Sequence, residues 1–190
     1  MLIPEIETER LLLRMYKAGE LESVYILITD KDVTRFFPDY YTVDKENVLK
    51  SLPRRVERWR KYGFGQLGVF DKTSDELIGY CGLQYLDNTE EVEIYYGLHK
   101  HFWGKGLAKE ASKAMLRFGF EEAKLSRIVG VTHPENTASQ KVLKSLGFVQ
   151  GENGRFYDLE AAYFSLTHTN YQPNEATYYK LHYVEVECAG

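Results

Sequence analysis

A chain of 190 residues with 44% hydrophobic and 27% charged content is long enough for one domain with a sizeable core and has an ordinary globular composition. Its net charge of −4 argues against a general nucleic-acid binder, and no apolar run reaches the length of a bilayer. The start, Met1-Leu-Ile-Pro-Glu-Ile-Glu7, lacks the basic and apolar segments of a secretion signal, and Cys81 and Cys188 form no C-x-x-C pair, which together predict a reduced, cytoplasmic protein.

Glu7 to Arg14 reads as the first strand, with Leu11 and Leu13 alternating against Leu12 and Arg14. Residues 18 to 28 read as a helix, because Leu21, Val24, Tyr25 and Ile28 recur at helical spacing. Asp30 to Thr42 reads as an aromatic-rich loop. Asp44 to Tyr62 reads as a second helix with Asp44 as N-cap, and Pro53 is placed to kink or split it.

Phe64 to Phe70 and Leu77 to Tyr85 form a predicted hairpin across the polar turn Asp71 to Glu76. Val92 to Leu98 is the next strand. Leu107 to Glu121 is an amphipathic helix with Leu107, Ala111, Met115 and Phe118 toward the core and Lys109, Lys113 and Arg117 toward solvent. A strand over Ser126 to His133 precedes a helix over Thr137 to Leu146, where Thr137 and Gln140 suit a capping box and Gly147 a stop. Val149 to Leu166 holds the next strands, split at Gly151 to Gly154. Tyr178 to Glu187 alternates enough for one more, set to pair with a sheet edge of this or another subunit.

Between the strand at Val92 and the helix at Leu107 lies His101-Phe-Trp-Gly104-Lys-Gly106-Leu-Ala108. Two glycines in a strand-to-helix turn allow a tight bend, and the free N–H groups of the helix start suit a pyrophosphate. The turn is not a P-loop, since it lacks the Gly-Lys-Ser/Thr ending. Nor is it a dinucleotide fingerprint, since Lys109 stands at the third glycine position.

Four stretches together resemble the GNAT superfamily of N-acetyltransferases, in the branch that includes ribosomal-protein alanine N-acetyltransferases. They are the glycine turn, Thr8-Glu-Arg-Leu-Leu-Leu-Arg14, Ile78-Gly79-Tyr-Cys-Gly82-Leu83, and Asn136-Thr-Ala-Ser139 running to Leu146-Gly-Phe148. The resemblance covers roughly residues 7 to 171. It implies an α/β (α+β) domain over 1–171 with a mixed, mostly antiparallel sheet flanked by helices, followed by an extension over 172–190. It also implies acetyl transfer from acetyl-CoA to a primary amine by direct attack in a ternary complex.

The same resemblance assigns residues. Backbone groups of Trp103, Gly104, Lys105, Gly106, Leu107 and Ala108 would hold the acetyl-CoA pyrophosphate. The main chain from Tyr96 to Leu98 would pair with the pantetheine arm and meet the oxyanion, and Asn136 and Ser139 would lie along the cofactor. Glu93 occupies the position of a general base. The family's tyrosine acid, seven residues after the Asn, is replaced here by Leu143, which leaves Ser139 as the substitute, and His101 departs from the usual Gln or Arg before the glycines. Tyr40 and Tyr41 are candidate acceptor contacts. His99 and His101 lack a third ligand, so no metal is expected. The expected acceptor is a protein N-terminus; a small amine (polyamine, amino acid or aminoglycoside), a non-catalytic acyl-CoA sensor and a purely structural subunit remain alternatives. No nucleic acid or membrane partner is expected, and the chain is expected to be a monomer or homodimer.

Overall fold

The computed structural model describes residues 1–38, 41–173 and 178–186. Its strands are β1 (Leu2–Glu7), β2 (Leu11–Arg14), β3 (Gln66–Asp71), β4 (Leu77–Tyr85), β5 (Val92–Leu98), β6 (Arg127–Thr132), β7 (Val149–Gln150), β8 (Gly154–Phe156), β9 (Leu159–Thr167) and β10 (Lys180–Glu185). Its helices are α1 (Leu21–Thr29), α2 (Lys31–Thr34), α3 (Lys45–Leu49), α4 (Leu52–Tyr62), α5 (Leu107–Arg117) and α6 (Thr137–Ser145). The strands run in the order β10-β1-β2-β3-β4-β5-β6-β9-β7, with β8 paired to β9. Every pairing is antiparallel except β5 with β6. This is the mixed, mostly antiparallel α+β architecture that the resemblance implied.

The core is continuous along the sheet. Phe70, Phe120, Phe164, Ile3, Ile6, Leu11, Leu13 and Ile78 are among its fully buried side chains. Helix α5 packs on β2, β4 and β5 through Leu107, Ala111 and Met115, as the apolar stripe requires. It passes after Arg117 into a single π-turn over Phe118–Glu122, so its α-helical part is shorter than the periodicity predicts.

Several boundaries differ from expectation for local reasons. The predicted first strand breaks at Thr8, whose hydroxyl accepts the Leu11 N–H at 3.0 Å, so residues 2 to 7 form a separate strand. Lys31–Thr34 is helical rather than loop, capped by the Asp30 carboxylate accepting from the Asp32 N–H. The expected split at Pro53 does occur: α3 ends at Leu49 and α4 starts at Leu52, with Pro53 in its first turn, where its missing N–H removes no bond. The cap of α6 is Asn136, not Thr137, and Gln140 donates instead to the Pro134 carbonyl at 2.6 Å.

The basic side of α5 is not simply solvated. Lys109, Lys113 and Arg117 are half-buried. Arg117 bonds Glu121 at 2.8 Å and lies 4.5 Å over the ring of Tyr179, which the chain's C-terminal segment lays across it. That segment continues into β10, which pairs with β1 of the same chain from Leu2↔Glu185 to Glu7↔Lys180.

Candidate active site

The site begins where the sheet comes apart. β5 and β6 are parallel neighbours, yet they share only the register pair Glu93↔Val129. Beyond it the strands diverge, and one edge of β5 is left without a strand partner. The opening is a cavity of about 660 Å³. Glu93, Ile94, Tyr95 and Tyr96 of β5, Val131 and Thr132 of β6, and Asn136, Ser139 and Leu143 of the α6 region line it.

Glu93 is 3% exposed. Burial pushes its carboxyl above the usual glutamate range, and hydrogen bonds from Gln84 and Tyr157 pull partly the other way. The Gln84 Nε2 donates to its Oε1 at 2.8 Å, and the Tyr157 hydroxyl donates to the same oxygen. Tyr157 comes from the far hairpin β8–β9. It and Asp158 have φ of 52° and 61°, the pair of left-handed residues that a two-residue I′ turn demands. A bulky side chain rarely adopts that conformation. Here the Asp87 carboxylate anchors it by accepting the Tyr157 N–H at 2.6 Å.

At the other end of β5, Gly104 and Gly106 have φ of 74° and 76°, so both bends of the turn use the left-handed region. Gly106 is the N-cap of α5, and no side chain caps that helix. Its first-turn N–H groups are therefore available to an anion, and residues 103 to 106 are exposed. The turn is braced from both sides. Trp103 folds its indole back, donating to the Leu98 carbonyl at 2.7 Å. Arg10 donates to the Lys105 carbonyl at 2.9 Å and bonds Glu110, which also accepts from the Thr8 hydroxyl at 2.7 Å. The Glu110 carboxyl is lowered despite the opposing effect of burial, because Thr8 and Arg10 donate to it.

The Leu98 carbonyl thus already accepts one bond, and the Trp103 indole supports the turn from within, leaving the Trp103 backbone at its surface. Leu107 offers only its backbone, its side chain being buried in the core.

Asn136 reconciles two readings. Its Oδ1 caps α6 by accepting the Ser139 N–H at 3.1 Å, while its amide N–H₂ makes no bond among the described residues. Ser139 Oγ lies 3.0 Å from the Tyr96 hydroxyl. Burial drives the Tyr96 phenol well above its usual range, so it stays protonated. Leu143 is buried. Tyr41 lines the cavity and packs edge-on against Phe37 at 4.8 Å, whereas Tyr40 lies outside the described residues. His99 bonds Asp30 at 3.1 Å, and among the described residues no group of three metal-type side chains gathers.

Sequence reasoning missed Tyr157, Gln84, the Arg10–Glu110 clamp and the phenol of Tyr96. Only the last had a local signal, its place on the strand that leads to the glycine turn.

A splayed parallel strand pair, an uncapped helix start after two left-handed glycines and a buried carboxylate form an arrangement that can hold a long anionic cofactor against a second substrate. Residues 10–149 match the acetyltransferase (GNAT) domain family. An uncharacterized N-acetyltransferase p20 of Bacillus licheniformis is 31% identical over 156 residues, covering 82% of this chain and 86% of the relative. The ribosomal-protein-S5-alanine acetyltransferase of Vibrio fischeri superposes with a TM-score of 0.75 at 20% identity, over 89% of this chain and 99% of that one. A ribosomal L7/L12 alpha-N-protein acetyltransferase solved with coenzyme A superposes with a TM-score of 0.69 at 16% identity, over 84% and 95%. The chain belongs to the GNAT acetyltransferase family. It is an acetyl-CoA-dependent N-acetyltransferase.

Proposed function

We propose that the enzyme acetylates the N-terminal amine of a protein by direct attack within a ternary complex. The observation that carries this reading is Glu93, a buried carboxylate with a raised pKa, facing a cavity of about 660 Å³ that has room for a pantetheine end and a peptide end together. The similarity to two ribosomal-protein acetyltransferase structures supports the peptide acceptor.

Acetyl-CoA supplies the activated acetyl thioester. The backbone N–H groups from Gly104 to Ala108 hold its pyrophosphate, the free amide of Asn136 donates to the pantetheine, and the open edge of β5 at Tyr96 and Gly97 aligns the arm. Glu93 takes the ammonium proton on Oε2, because Oε1 is already held by Gln84 and Tyr157. The amine then attacks the thioester carbon, and holding the two together replaces an encounter in solution. Strand N–H groups near Tyr96 to Leu98 meet the developing oxyanion. The Tyr96 hydroxyl, paired with Ser139, protonates the leaving thiolate and regains its proton from the attacking nitrogen, which loses its positive charge as the amide forms. Tyr41 contacts the acceptor. The free, buried thiol of Cys81 supports a cytoplasmic setting.

The test is acetyl transfer from acetyl-CoA to protein N-termini against polyamines, amino acids and aminoglycosides, read by mass spectrometry. Modification confined to α-amines of peptides supports the reading; modification confined to small amines overturns it.

A further inference from the structure

Helix α4 carries Arg54, Arg55 and Arg58 on the wall of the same cavity. Their spacing places them on one side of the helix. Among the described residues, none of them pairs with a carboxylate. Arg54 donates to the Asn47 carbonyl at 3.0 Å. Arg55 donates to the Ser51 hydroxyl at 3.0 Å and to the side-chain oxygen of Gln66. Arg58 makes no hydrogen bond or ion pair among the described residues. Elsewhere, Arg10, Arg14, Arg60, Arg117 and Arg127 each hold a glutamate. The chain has 28 acidic and 24 basic residues, so unpaired arginines facing one cavity run against its overall balance.

The carboxylates among the cavity residues are Glu93 and the exposed Glu160. Glu93 is bonded on Oε1 by Gln84 and Tyr157. Among the described residues, the α4 wall therefore presents positive charge that no carboxylate pairs.

The sheet register measures where that charge sits. Gln66 is opposite Gly82, and Gly82 is opposite Tyr95, two residues beyond Glu93. The Arg55 anchor is thus two strands from β5, roughly 10 Å across the sheet. An extended peptide advances about 3.3–3.6 Å per residue. An amine at Glu93 places the next few residues over the arginines.

We propose that the acceptor is an acidic N-terminal peptide: a free α-amine followed within its next three residues by Asp or Glu, whose carboxylates are received by Arg54, Arg55 and Arg58. This rests on the N-terminal reading above. A guanidinium presents a planar fork that matches a carboxylate, and the partly buried Arg55 is pre-positioned by Ser51 and Gln66.

The test uses the full chain with acetyl-CoA and three peptides of equal length, beginning Ala-Asp-Glu, Ala-Asn-Gln and Ala-Lys-Lys, with free glutamate and spermidine as non-peptide amines. kcat and KM are measured for the parent, R58E and R54E/R58E at low and high salt, and acetyl-CoA binding is read in parallel by thermal shift. The acidic peptide is expected to exceed the neutral one in kcat/KM by about tenfold or more, with an advantage that shrinks in salt. R58E should raise KM for the acidic peptide, reverse the preference toward Ala-Lys-Lys, and leave the acetyl-CoA shift intact. Equal or better turnover of the neutral or basic peptide overturns the proposal and leaves the N-terminal reading standing. An acidic preference that survives in R54E/R58E also overturns it. Turnover of glutamate or spermidine alone overturns both readings.

Discussion

Glu93 and Tyr157 stand 64 residues apart in the chain and share a hydrogen bond inside the cavity, the Tyr157 hydroxyl donating to the glutamate's Oε1. The bond joins the strand before the glycine turn to the tip of the β8–β9 hairpin. It favours the charged form of a carboxyl whose pKa burial raises. Removing it in Y157F should therefore raise the Glu93 pKa further. The acid limb of the kcat/KM profile should move to higher pH, with full activity recovered above it. An unmoved limb would show that Tyr157 does not tune this carboxyl.

E93Q keeps an acceptor oxygen for Gln84 and Tyr157 but cannot take a proton. We expect kcat to fall by about 10²- to 10⁴-fold while the acetyl-CoA thermal shift persists. Stability should respond in the opposite sense. A glutamate whose folded pKa is raised contributes stability that is complete below its unfolded pKa and lost as pH rises through the folded value. Glutamine has no such loss, so the Tm of E93Q relative to the parent should improve between pH 5 and pH 8. Melting curves at the two pH values check the sign.

The Tyr96 hydroxyl and Ser139 Oγ lie 3.0 Å apart, and the proposed mechanism uses them as one donor to the leaving thiolate. Y96F and S139A should each lower kcat, and the double variant should be no worse than about the poorer single one. That non-additivity is the mark of a coupled pair. Independent, additive losses in single-turnover kinetics would separate the two groups.

G106E places a carboxylate at the uncapped start of α5, where the proposed mechanism puts the pyrophosphate. In the parent, acetyl-CoA at 100 times its Kd should add about 2.7 kcal/mol of stability. The variant should lose that shift. Because Gly106 has φ of 76°, part of any fall in unliganded Tm is backbone strain, and the ligand-induced difference is the quantity to compare. A retained shift would move the cofactor away from the glycine turn.

The clamp from Arg10 to the glycine turn is a further check on position. R10A removes the bond to the Lys105 carbonyl and one partner of Glu110. Acetyl-CoA affinity should weaken several-fold by isothermal titration, while kcat at saturating cofactor stays close to the parent.

Much of the framework is legible in the amino-acid order. β5 was bounded to the residue, because a polar turn stands before Val92 and the glycine turn after Leu98. The apolar stripe of α5 and the end of α6 before Gly147 follow from short-range periodicity and turn chemistry. Boundaries failed where a side chain competed locally with the backbone, as Thr8 did in splitting the first strand and Asn136 in taking the cap from Thr137.

The candidate site divides along the same line. The sequence by itself determined that two glycines stand between the strand carrying Glu93 and a helix start, since this is written within neighbouring residues. Only the tertiary structure decided that β5 and β6 part after one register pair. The same holds for Tyr157 reaching Glu93, Arg10 gripping the turn, and α4 lining the cavity with three arginines. The physical reason is range. Periodicity and capping act over a few residues, whereas burial, charge pairing and a carboxyl's pKa depend on side chains that meet only when distant segments pack together.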